Sequence, residues 1–466
     1  YSMIFTRRHP HLRQYAPIWQ RSGDAYSGGG NYIETALIKH VSEVSLEFEE
    51  RKRRAYYFNY PRKIARLIAQ FILAEEPQRG NADLEIIEDV DRAGHRINEM
   101  MRQVATTVNC FGLAWVLVDM PSFTGELDLE RKRRECIRPY ARTLKPWEVI
   151  DWSYGRDGRL DWAIVEEISI EASDPLSDRE KVRRRRLWTR KYWQLFRLDD
   201  NGQTVLEQSG EHRLNAVPLV RCEEADGFGM NANHWFEDVV RISDAILNAE
   251  SEAQMNIIKQ MFGLLVVSES FRSSDFVGHE TDEGEKFSHV LARSAALWET
   301  PEEKGITRYI SPGGAATDTI RQEIINLKKE LFDVVGLAVQ NESREAQTAE
   351  SKAWDSHHVN QFLISRVDML QQLETRVWEL MHEWDRSIPV PEISYNREFA
   401  VIDLKDSIAA LLNLNNLSQS GEFHREVERA AMKMLEKIKK ITPEIKRRIE
   451  QEIAELPVVP IEPVEA

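Results

Sequence analysis

The stretch that decides the fold is His234–Phe262, HWFEDVVRISDAILNAESEAQMNIIKQMF. Its apolar residues recur every three or four positions without a break, which predicts one amphipathic helix: Trp235, Val239, Ile242, Ile246, Ala249, Ala253, Ile257 and Met261. At about 1.5 Å per residue, this helix is about 43 Å long. A helix of that length extends past a small globular body, so its apolar stripe requires extensive packing partners.

Three short apolar runs follow this helix, and each is typical of a strand: Leu264–Val267, Ala295–Trp298 and Thr307–Ile310. A second amphipathic helix is predicted over Thr317–Leu337. Thr348–Asp385 predicts a very long third helix, which the prolines at 389 and 391 terminate. Two long helices therefore carry a small β-containing module out of a larger body and back into it.

The chain before the long helix combines helices with a β-rich region, so the fold class is α+β. Helices are predicted over Asn31–Arg54, from Pro61 through Ile72, and over about Asp83–Asn109. Residues 112–222 are mostly β, and Asp199–Gly202 predicts a hairpin turn. The predicted strands are Leu113–Val118, Tyr140–Leu144, Val149–Trp152, Leu160–Ile170, Trp188–Leu198, Thr204–Glu207 and Val217–Arg221.

The C-terminal part returns to a mainly helical pattern. A strand is predicted at Ile393–Tyr395 and a helix near Lys405–Leu414, followed by a polar break at Asn415–Gly421. Two amphipathic helices follow at about Glu422–Lys439 and Pro443–Leu456, and we expect the Pro- and Val-rich tail after Pro457 to be disordered.

Two basic runs have a functional and an ordinary interpretation. Arg51–Arg54 is compatible with a nucleic-acid patch, but cations also suit the solvated C-terminal end of a helix. Arg183–Arg186 precedes the aromatic residues Trp188 and Tyr192, a combination found in nucleic-acid-binding surfaces. We favour the ordinary interpretation for both, the second run being a charged loop that enters an aromatic edge strand.

Composition indicates a folded protein that does not coat nucleic acid. The 466 residues are 42% apolar and 30% charged, and 62 Lys and Arg against 77 Asp and Glu give a net charge of −15. Proteins that neutralise phosphates along DNA usually carry a basic surface instead. The three cysteines form no CxxC pair, which favours a reducing compartment. No apolar run reaches the roughly 20 residues of a membrane span.

The sequence lacks the catalytic motifs that would support an enzyme. The chain has no GxxxxGK[ST], HExxH or GxSxG motif, and Gly28–Gly30 and the Gly313-Gly314 pair lack dinucleotide-binding spacing. His357 and His358 are adjacent, so on a helix they cannot chelate one metal together. We therefore expect no cofactor and no metal. The alternative is an intracellular DNA-processing enzyme whose active site assembles from scattered carboxylates, since such convergence is invisible in sequence.

The order of elements resembles the portal proteins of tailed bacteriophages. The similarity covers about residues 30–415 and lies in the order and spacing of loosely matching stretches. These are Tyr60–Ile72, Phe111–Asp119, Tyr140–Trp152, Val217–Val220, Phe236–Ile246, Leu327–Leu337 and Thr348–Leu373. The resemblance implies an α/β wing (1–232 and 349–415), a two-helix stem (233–262 and 316–337), a small clip (263–315), a tunnel loop (338–348) and a C-terminal crown (416–466). It also implies a ring oligomer, with the long helix after the tunnel loop kinked.

The same resemblance implies a conduit at one capsid vertex. A ring, typically of twelve subunits, passes double-stranded DNA without sequence specificity during packaging by the terminase and later during ejection. The implied partners are the terminase large subunit, the major capsid protein and head–tail connector proteins, and the location is the virion, after assembly in the host cytoplasm. The ATPase belongs to the motor, in agreement with the missing phosphate-binding motif.

Acidic composition suits such a channel, because a lumen lined with many rings of cations would hold DNA instead of passing it. We therefore expect DNA contact to be confined to the polar tunnel loop, at Gln340, Asn341, Glu342, Ser343 and Arg344. The alternative for Arg344 is an ion pair with Glu342 or Glu345. Candidate contacts of the clip to the terminase or connector are Lys286, Arg293, Lys304 and Arg308, each also compatible with ordinary surface.

Overall fold

The structure, a computed structural model, divides the chain into two compact units, Tyr1–Arg397 and Glu398–Ala466. It describes residues 3–41, 43–121, 129–135, 137–172, 178–198, 202–224, 235–261, 264–268, 296–299, 308–310, 315–335, 349–397, 399, 425, 428–429, 432 and 443–455. The second unit contains the described helix α11 (Pro443–Glu455), which the sequence predicted. All statements below on the first unit concern its described residues.

The first unit contains both helices and strands. Its helices are α1 (Pro10–Ser27), α2 (Gly30–Ala36), α3 (Ser45–Arg54), α4 (Tyr60–Ile72), α5 (Leu84–Glu88), α6 (Ile97–Phe111), α7 (Leu129–Arg134), α8 (Trp235–Met261), α9 (Ala315–Val334) and α10 (Ala349–Trp384). Its strands are β1 (Gln78–Gly80), β2 (Leu113–Asp119), β3 (Tyr140–Leu144), β4 (Val149–Tyr154), β5 (Leu160–Glu171), β6 (Glu180–Thr189), β7 (Tyr192–Leu198), β8 (Thr204–Glu211), β9 (Leu219–Glu223), β10 (Leu264–Ser268), β11 (Ala296–Glu299), β12 (Arg308–Ile310) and β13 (Glu392–Ser394). The predicted α+β class is confirmed.

Two antiparallel sheets form the centre of the body. Strand β2 lies between β3 and β9, and all seven of its residues are buried, as its continuous apolar run predicted. Strands β4 to β8 form a five-stranded meander in sequence order. Tryptophans from both sheets share one core, in which the rings of Trp115 and Trp152 lie 5.5 Å apart and Trp188 is fully buried. Helix α1, which sequence analysis did not predict, contributes Trp19 to this core.

The long hairpin follows the predicted order. Helices α8 and α9 pack against each other, and the buried residues Thr317, Ile324 and Leu331 recur every seven positions along α9. Between the two helices, β10 pairs in parallel with β11 and antiparallel with β12, which confirms the three predicted strands. The long third helix is also present, as α10 with 36 residues.

The predicted helix Asn31–Arg54 is wrong as a single element. The backbone becomes extended at Leu37, and the chain reverses before α3 begins. The Arg51 guanidinium donates to the carboxylate of Glu43 at 2.9 Å and to the carbonyl of Ile38 at 2.6 Å, a group that a continuous helix would have paired internally. A long-range polar contact therefore overrides the local helical pattern.

The predicted helix Asp83–Asn109 is also two elements, α5 and α6. Between them Arg92 and Gly94 adopt positive φ values of 63° and 90°. The side chains of Asp89 and Asp91 accept hydrogen bonds from the backbone N–H groups of Gly94 and Ala93, respectively. Such Asx turns compete with helical hydrogen bonds, which explains the interruption.

The basic run Arg183–Arg186 does not form a loop. It lies within β6, the middle strand of the five-stranded sheet, and the predicted strand Trp188–Leu198 is two strands that reverse at residues 190–191. The predicted turn Asp199–Gly202 lies between the paired strands β7 and β8, and its first three residues lie outside the described residues. The predicted helix Lys405–Leu414, the break 415–421, most of the helix Glu422–Lys439 and the tail also lie outside them.

Candidate functional site: the helical hairpin and its buried charges

The base of the hairpin is held in the body by a buried carboxylate. Asp244 of α8 is 9% exposed and accepts hydrogen bonds from Arg21 of α1 and from the hydroxyl of Tyr32 of α2. Burial, followed by the charges of Tyr57 and Asp244, raises the pKa of Tyr32 far above its usual value, so this hydroxyl remains a donor. One charged group thus joins α8 to two N-terminal helices.

A second polar cluster joins α8 to the reversal between α2 and α3. Arg51, which is 3% exposed, donates to the hydroxyl of Ser251 at 3.0 Å. Asn248 donates to the carbonyl of Ala36 at 2.9 Å and accepts from the backbone N–H of Ile38 at 2.9 Å. These contacts place residues 38–41, which are exposed, beside the hairpin base.

Polar contacts also link the two helices of the hairpin to each other, and both helices carry more acidic than basic residues. Gln260 donates to Thr317 at 2.8 Å, and Lys328 lies 3.3 Å from Glu250. Helix α8 carries five acidic and two basic residues, and helix α9 carries four acidic and three basic residues. Each helix also has an exposed apolar side chain: Met261 of α8 is 72% exposed, and Ile325 of α9 is 58% exposed. These positions leave apolar surface that the chain itself does not cover.

Helix α10 is joined to the base of α8 by a buried arginine. The Arg366 guanidinium donates to Glu224 at 2.5 Å and to Asn109 at 3.2 Å. Its central carbon lies 4.3 Å from the ring centre of Phe362 and 5.3 Å from that of Trp235, the first residue of α8. Burial lowers the pKa of Arg366, and the charge of Glu224 opposes this. A single side chain therefore connects α6, the end of β9, α8 and α10.

Farther along α10, a buried triad holds the short sheet β1–β13. Glu374 is completely buried and accepts from Arg79 at 2.5 and 3.2 Å and from the hydroxyl of Tyr395. Burial lowers the pKa of Arg79, but the hydrogen bond and charge of Glu374 more than offset this and raise it above its usual value. The Arg79 guanidinium therefore stays charged inside the body.

The arginines of β6 form ion pairs with carboxylates on neighbouring strands. Strand register places Glu166 opposite Arg185 and Glu167 opposite Arg184. Arg185 reaches Glu166 at 3.1 Å, and Arg186 reaches both Glu167 at 2.9 Å and Asp119 at 3.3 Å. The remaining pairs are Arg183 with Glu166, and Arg184 with Glu171 and Glu207. The run is neutralised by carboxylates, and the acidic pair at 166–167 was the sequence signal that could have indicated this.

The predicted DNA-facing residues Gln340, Asn341, Glu342, Ser343 and Arg344 lie outside the described residues. So do three of the predicted clip contacts, Lys286, Arg293 and Lys304. The fourth, Arg308, lies in β12, where its backbone pairs with Val266 of β10. Their roles remain predictions.

The histidines His9 and His11, which could have formed a metal site, have other contacts. His9 stacks on Trp152 with 3.9 Å between ring centres, and its Nδ1 accepts the backbone N–H of His11. Among the described residues, no group of three or more His, Cys, Asp or Glu side chains is placed to hold a metal ion. Within the same residues, no helix has the length and apolar character needed to cross a membrane.

Known proteins show only distant similarity to this chain. No protein-family model and no curated protein matches it. A chain in the neck of an empty GTA particle, computed with C6 symmetry, is similar with a TM-score of 0.42 and 11% identity, over 78% of this chain and 88% of that one. A chain in the neck of a native GTA particle, computed with C12 symmetry, is similar with a TM-score of 0.41 and 11% identity, over 78% of this chain and 88% of that one. A chain in the virion of a native gene transfer agent particle is similar with a TM-score of 0.42 and 10% identity, over 88% of this chain and 98% of that one.

Proposed function

We propose that this chain is a subunit of a phage portal ring, a structural conduit for double-stranded DNA at one capsid vertex. The observation that carries the proposal is the order of elements after the body: the long helix α8, three short strands, the returning helix α9 and the 36-residue helix α10. The same order underlies the resemblance found in the sequence. In this assignment α8 and α9 are the stem, β10–β12 belong to the clip, and residues 338–348 form the tunnel loop.

The exposed apolar surface of the hairpin supports assembly into a ring. Met261, Ile325 and Val334 are 72%, 58% and 41% exposed, respectively, in the isolated chain. Copies placed side by side would cover such positions, and a head-to-tail interface whose rotation closes produces a ring. Twelve subunits are proposed, as is typical of the family that the sequence resembles.

Charge supports a conduit that does not retain DNA. The chain carries −15, and its hairpin helices carry more acidic than basic residues. Because DNA affinity rises with every phosphate neutralised, an acidic lumen leaves the duplex mobile. The terminase would dock on the clip during packaging, connector proteins would follow, and the major capsid protein would surround the ring in the virion.

Negative-stain electron microscopy of the purified full chain tests this function. The expected particles are rings of about twelve subunits with a central hole, and a mass-sensitive method such as sedimentation should give a matching oligomer. A compact monomer at all protein concentrations would contradict the proposal.

The tunnel-loop assignment has its own test in a DNA-packaging assay. Arg344→Ala and Asn341→Ala should each slow packaging, because each removes a polar group repeated once per subunit in the ring. Arg54→Ala, an exposed change in α3, is the matched control and should package normally. Normal packaging by both loop variants would refute the assignment while leaving the ring itself untouched.

No specific observation favours the alternative of an enzyme built from scattered carboxylates. The buried carboxylates Asp119, Asp244 and Glu374 each contact a guanidinium, which commits them to structural interactions.

A further inference from the structure

The two edges of the five-stranded sheet differ in how they are covered. At the β4 edge, the backbone N–H of His9 donates to the carbonyl of Ile150 at 2.9 Å, so the N-terminal segment lies against that edge. The opposite edge is strand β8, which pairs with β7 alone among the described strands. The outer backbone groups of an edge strand of this kind can pair with a further strand.

The register shows which backbone groups of β8 point away from β7. The N–H of His212 donates to the carbonyl of Lys191 at 2.8 Å. In the same register, Gln194 lies opposite Ser209. Since opposite residues of an antiparallel pair exchange hydrogen bonds only at every second position, the N–H and C=O groups of Ser209 and Glu211 point outward. No backbone group of the described residues is hydrogen-bonded to them.

The side chains of β8 give this edge little protection against pairing. Edge strands often carry lysine or proline, and β8, TVLEQSGE, has neither. A register shift at Glu207 is a further common protection, but Gln208–Glu211 continue in regular register beyond it. Val205 and Leu206 are 39% and 41% exposed, and as neighbours in a strand they lie on opposite faces of the sheet. An added strand would therefore meet apolar side chains on both faces.

We propose that β8 binds an extended segment of another protein, which adds a sixth strand to this sheet. The outward groups of Ser209 and Glu211 exchange backbone hydrogen bonds with the segment, and its β-branched or aromatic side chains pack against Val205 and Leu206. A second copy of β8 fits less well, because β8 carries two glutamates and no cation, and self-pairing brings like charges together. This inference is independent of the portal assignment, because it rests on the sheet alone.

The test selects random displayed peptides on the full chain, with the Ser209→Pro chain as counter-selection. Proline at this exposed position removes an outward N–H and leaves the hydrogen bonds to β7 intact. We expect the enriched peptides to be rich in β-branched and aromatic residues and to lack proline in their central part. In fluorescence anisotropy, Ser209→Pro should raise the Kd of a selected peptide about tenfold. Ser209→Ala keeps the N–H and should change the Kd less than about twofold.

A second measurement uses the wild-type chain and N-methylated versions of the selected peptide. Only every second N–H of an added strand points toward β8. Methylation of the nitrogens at one set of alternate positions should therefore abolish binding, and methylation of the other set should leave the Kd nearly unchanged. This measurement decides the question if Ser209→Pro alters the circular dichroism spectrum of the chain.

Several results would overturn the proposal. These are failure to enrich any peptide, equal Kd values for wild type and a folded Ser209→Pro chain, and equal effects of the two sets of N-methylated peptides. A smaller oligomer of the folded Ser209→Pro chain in sedimentation, with Ser209→Ala unchanged, would assign this edge to a second copy of the chain instead.

Discussion

At the scale of single residues, stability of the body depends on charges that are buried in pairs. Removal of one partner from such a pair leaves the other without compensation in a medium of low polarity, which costs more than the pair contributes. Glu374 is the extreme case, since it is completely buried and accepts hydrogen bonds from both Arg79 and Tyr395.

Glu374→Ala should therefore lower the free energy of unfolding by about 3–5 kcal/mol, because it leaves the buried Arg79 guanidinium without a counter-charge. Chemical denaturation followed by tryptophan fluorescence measures this. The matched control is Glu50→Ala, which breaks the exposed pair with Arg54 and should change the same quantity by less than about 1 kcal/mol. Equal effects of the two variants would contradict the structural role of the triad.

A buried histidine predicts loss of stability in acid. Burial lowers the pKa of His212, although its contact with the carbonyl of Thr189 at 3.0 Å opposes this. The unfolded chain then binds more protons than the folded one, so stability is lost as pH falls below the usual histidine pKa near 6.5.

His212→Gln should reduce this loss, because Gln stays neutral and can still donate to Thr189. The measurement is the free energy of unfolding of variant and wild type between about pH 7.5 and about pH 5. His95→Gln is the control of opposite sign. The hydrogen bond that His95 donates to Asp91 raises the pKa of His95, so the stabilisation from this bond is present at low pH and lost as pH rises. The His95→Gln chain should therefore lose at least as much free energy of unfolding in acid as the wild type.

At the scale of elements, β6 connects the N-terminal segment to the five-stranded sheet. Arg185 is 1% exposed, and besides Glu166 it donates to the carbonyl of Ile4 at 2.6 Å and to that of Arg7 at 3.4 Å. Residues 3–9 therefore lie against the sheet. Besides Arg185, they are held by the ion pair of Arg7 with Asp151, by the stacking of His9 on Trp152 and by a backbone hydrogen bond from His9 to Ile150.

Arg185→Ala should release this segment and destabilise the body by about 3 kcal/mol. Limited trypsin digestion should then cleave after Arg7 and Arg8 faster than in the wild type, because the segment no longer lies on the sheet. Arg183→Ala, two residues earlier on the same strand and half exposed, should leave the cleavage rate unchanged. Similar cleavage of both variants would show that Arg185 does not hold the segment.

At the scale of the whole molecule, apolar side chains are exposed beside the hairpin base, in a segment whose described residues are 38–41 and 43–46. Ile38, Val41, Val44 and Leu46 are 72%, 100%, 64% and 79% exposed, respectively. Several exposed apolar side chains so close in sequence are typical of an interface. Under the portal proposal, a neighbouring subunit covers it.

Val41→Glu/Leu46→Glu should accordingly reduce the ring fraction in sedimentation while circular dichroism stays unchanged, since neither side chain packs within the chain. Lys39→Glu adds negative charge to the same segment without altering its apolar surface and is the matched control. Ring formation by the double variant at wild-type protein concentrations would show that this segment is not a subunit contact.

Long periodic elements were predictable because local hydrophobic spacing determines them. The stretch Trp235–Met261, the returning helix, the helix after Thr348 and the buried strand at Leu113 all agree with the structure. Two of the wrong predictions concern polar side chains with partners farther along the chain: Arg51 binds the carbonyl of Ile38, and the arginines of β6 meet carboxylates on other strands. The third, a single helix over Asp83–Asn109, is interrupted by local hydrogen bonds to the side chains of Asp89 and Asp91.

The sequence alone therefore determined the order of elements, the acidic balance and the long hairpin, all of which are properties of neighbouring residues or of composition. The tertiary structure decided which charged side chains are paired with an opposite charge. Arg185 and Arg366 are buried against carboxylates, whereas Arg66, Arg102 and Lys145 form no ion pair with a carboxylate of the described residues. The reason is physical: the free energy of a charge depends on the solvent and the counter-charges around it in space, and these come from residues far apart in the chain.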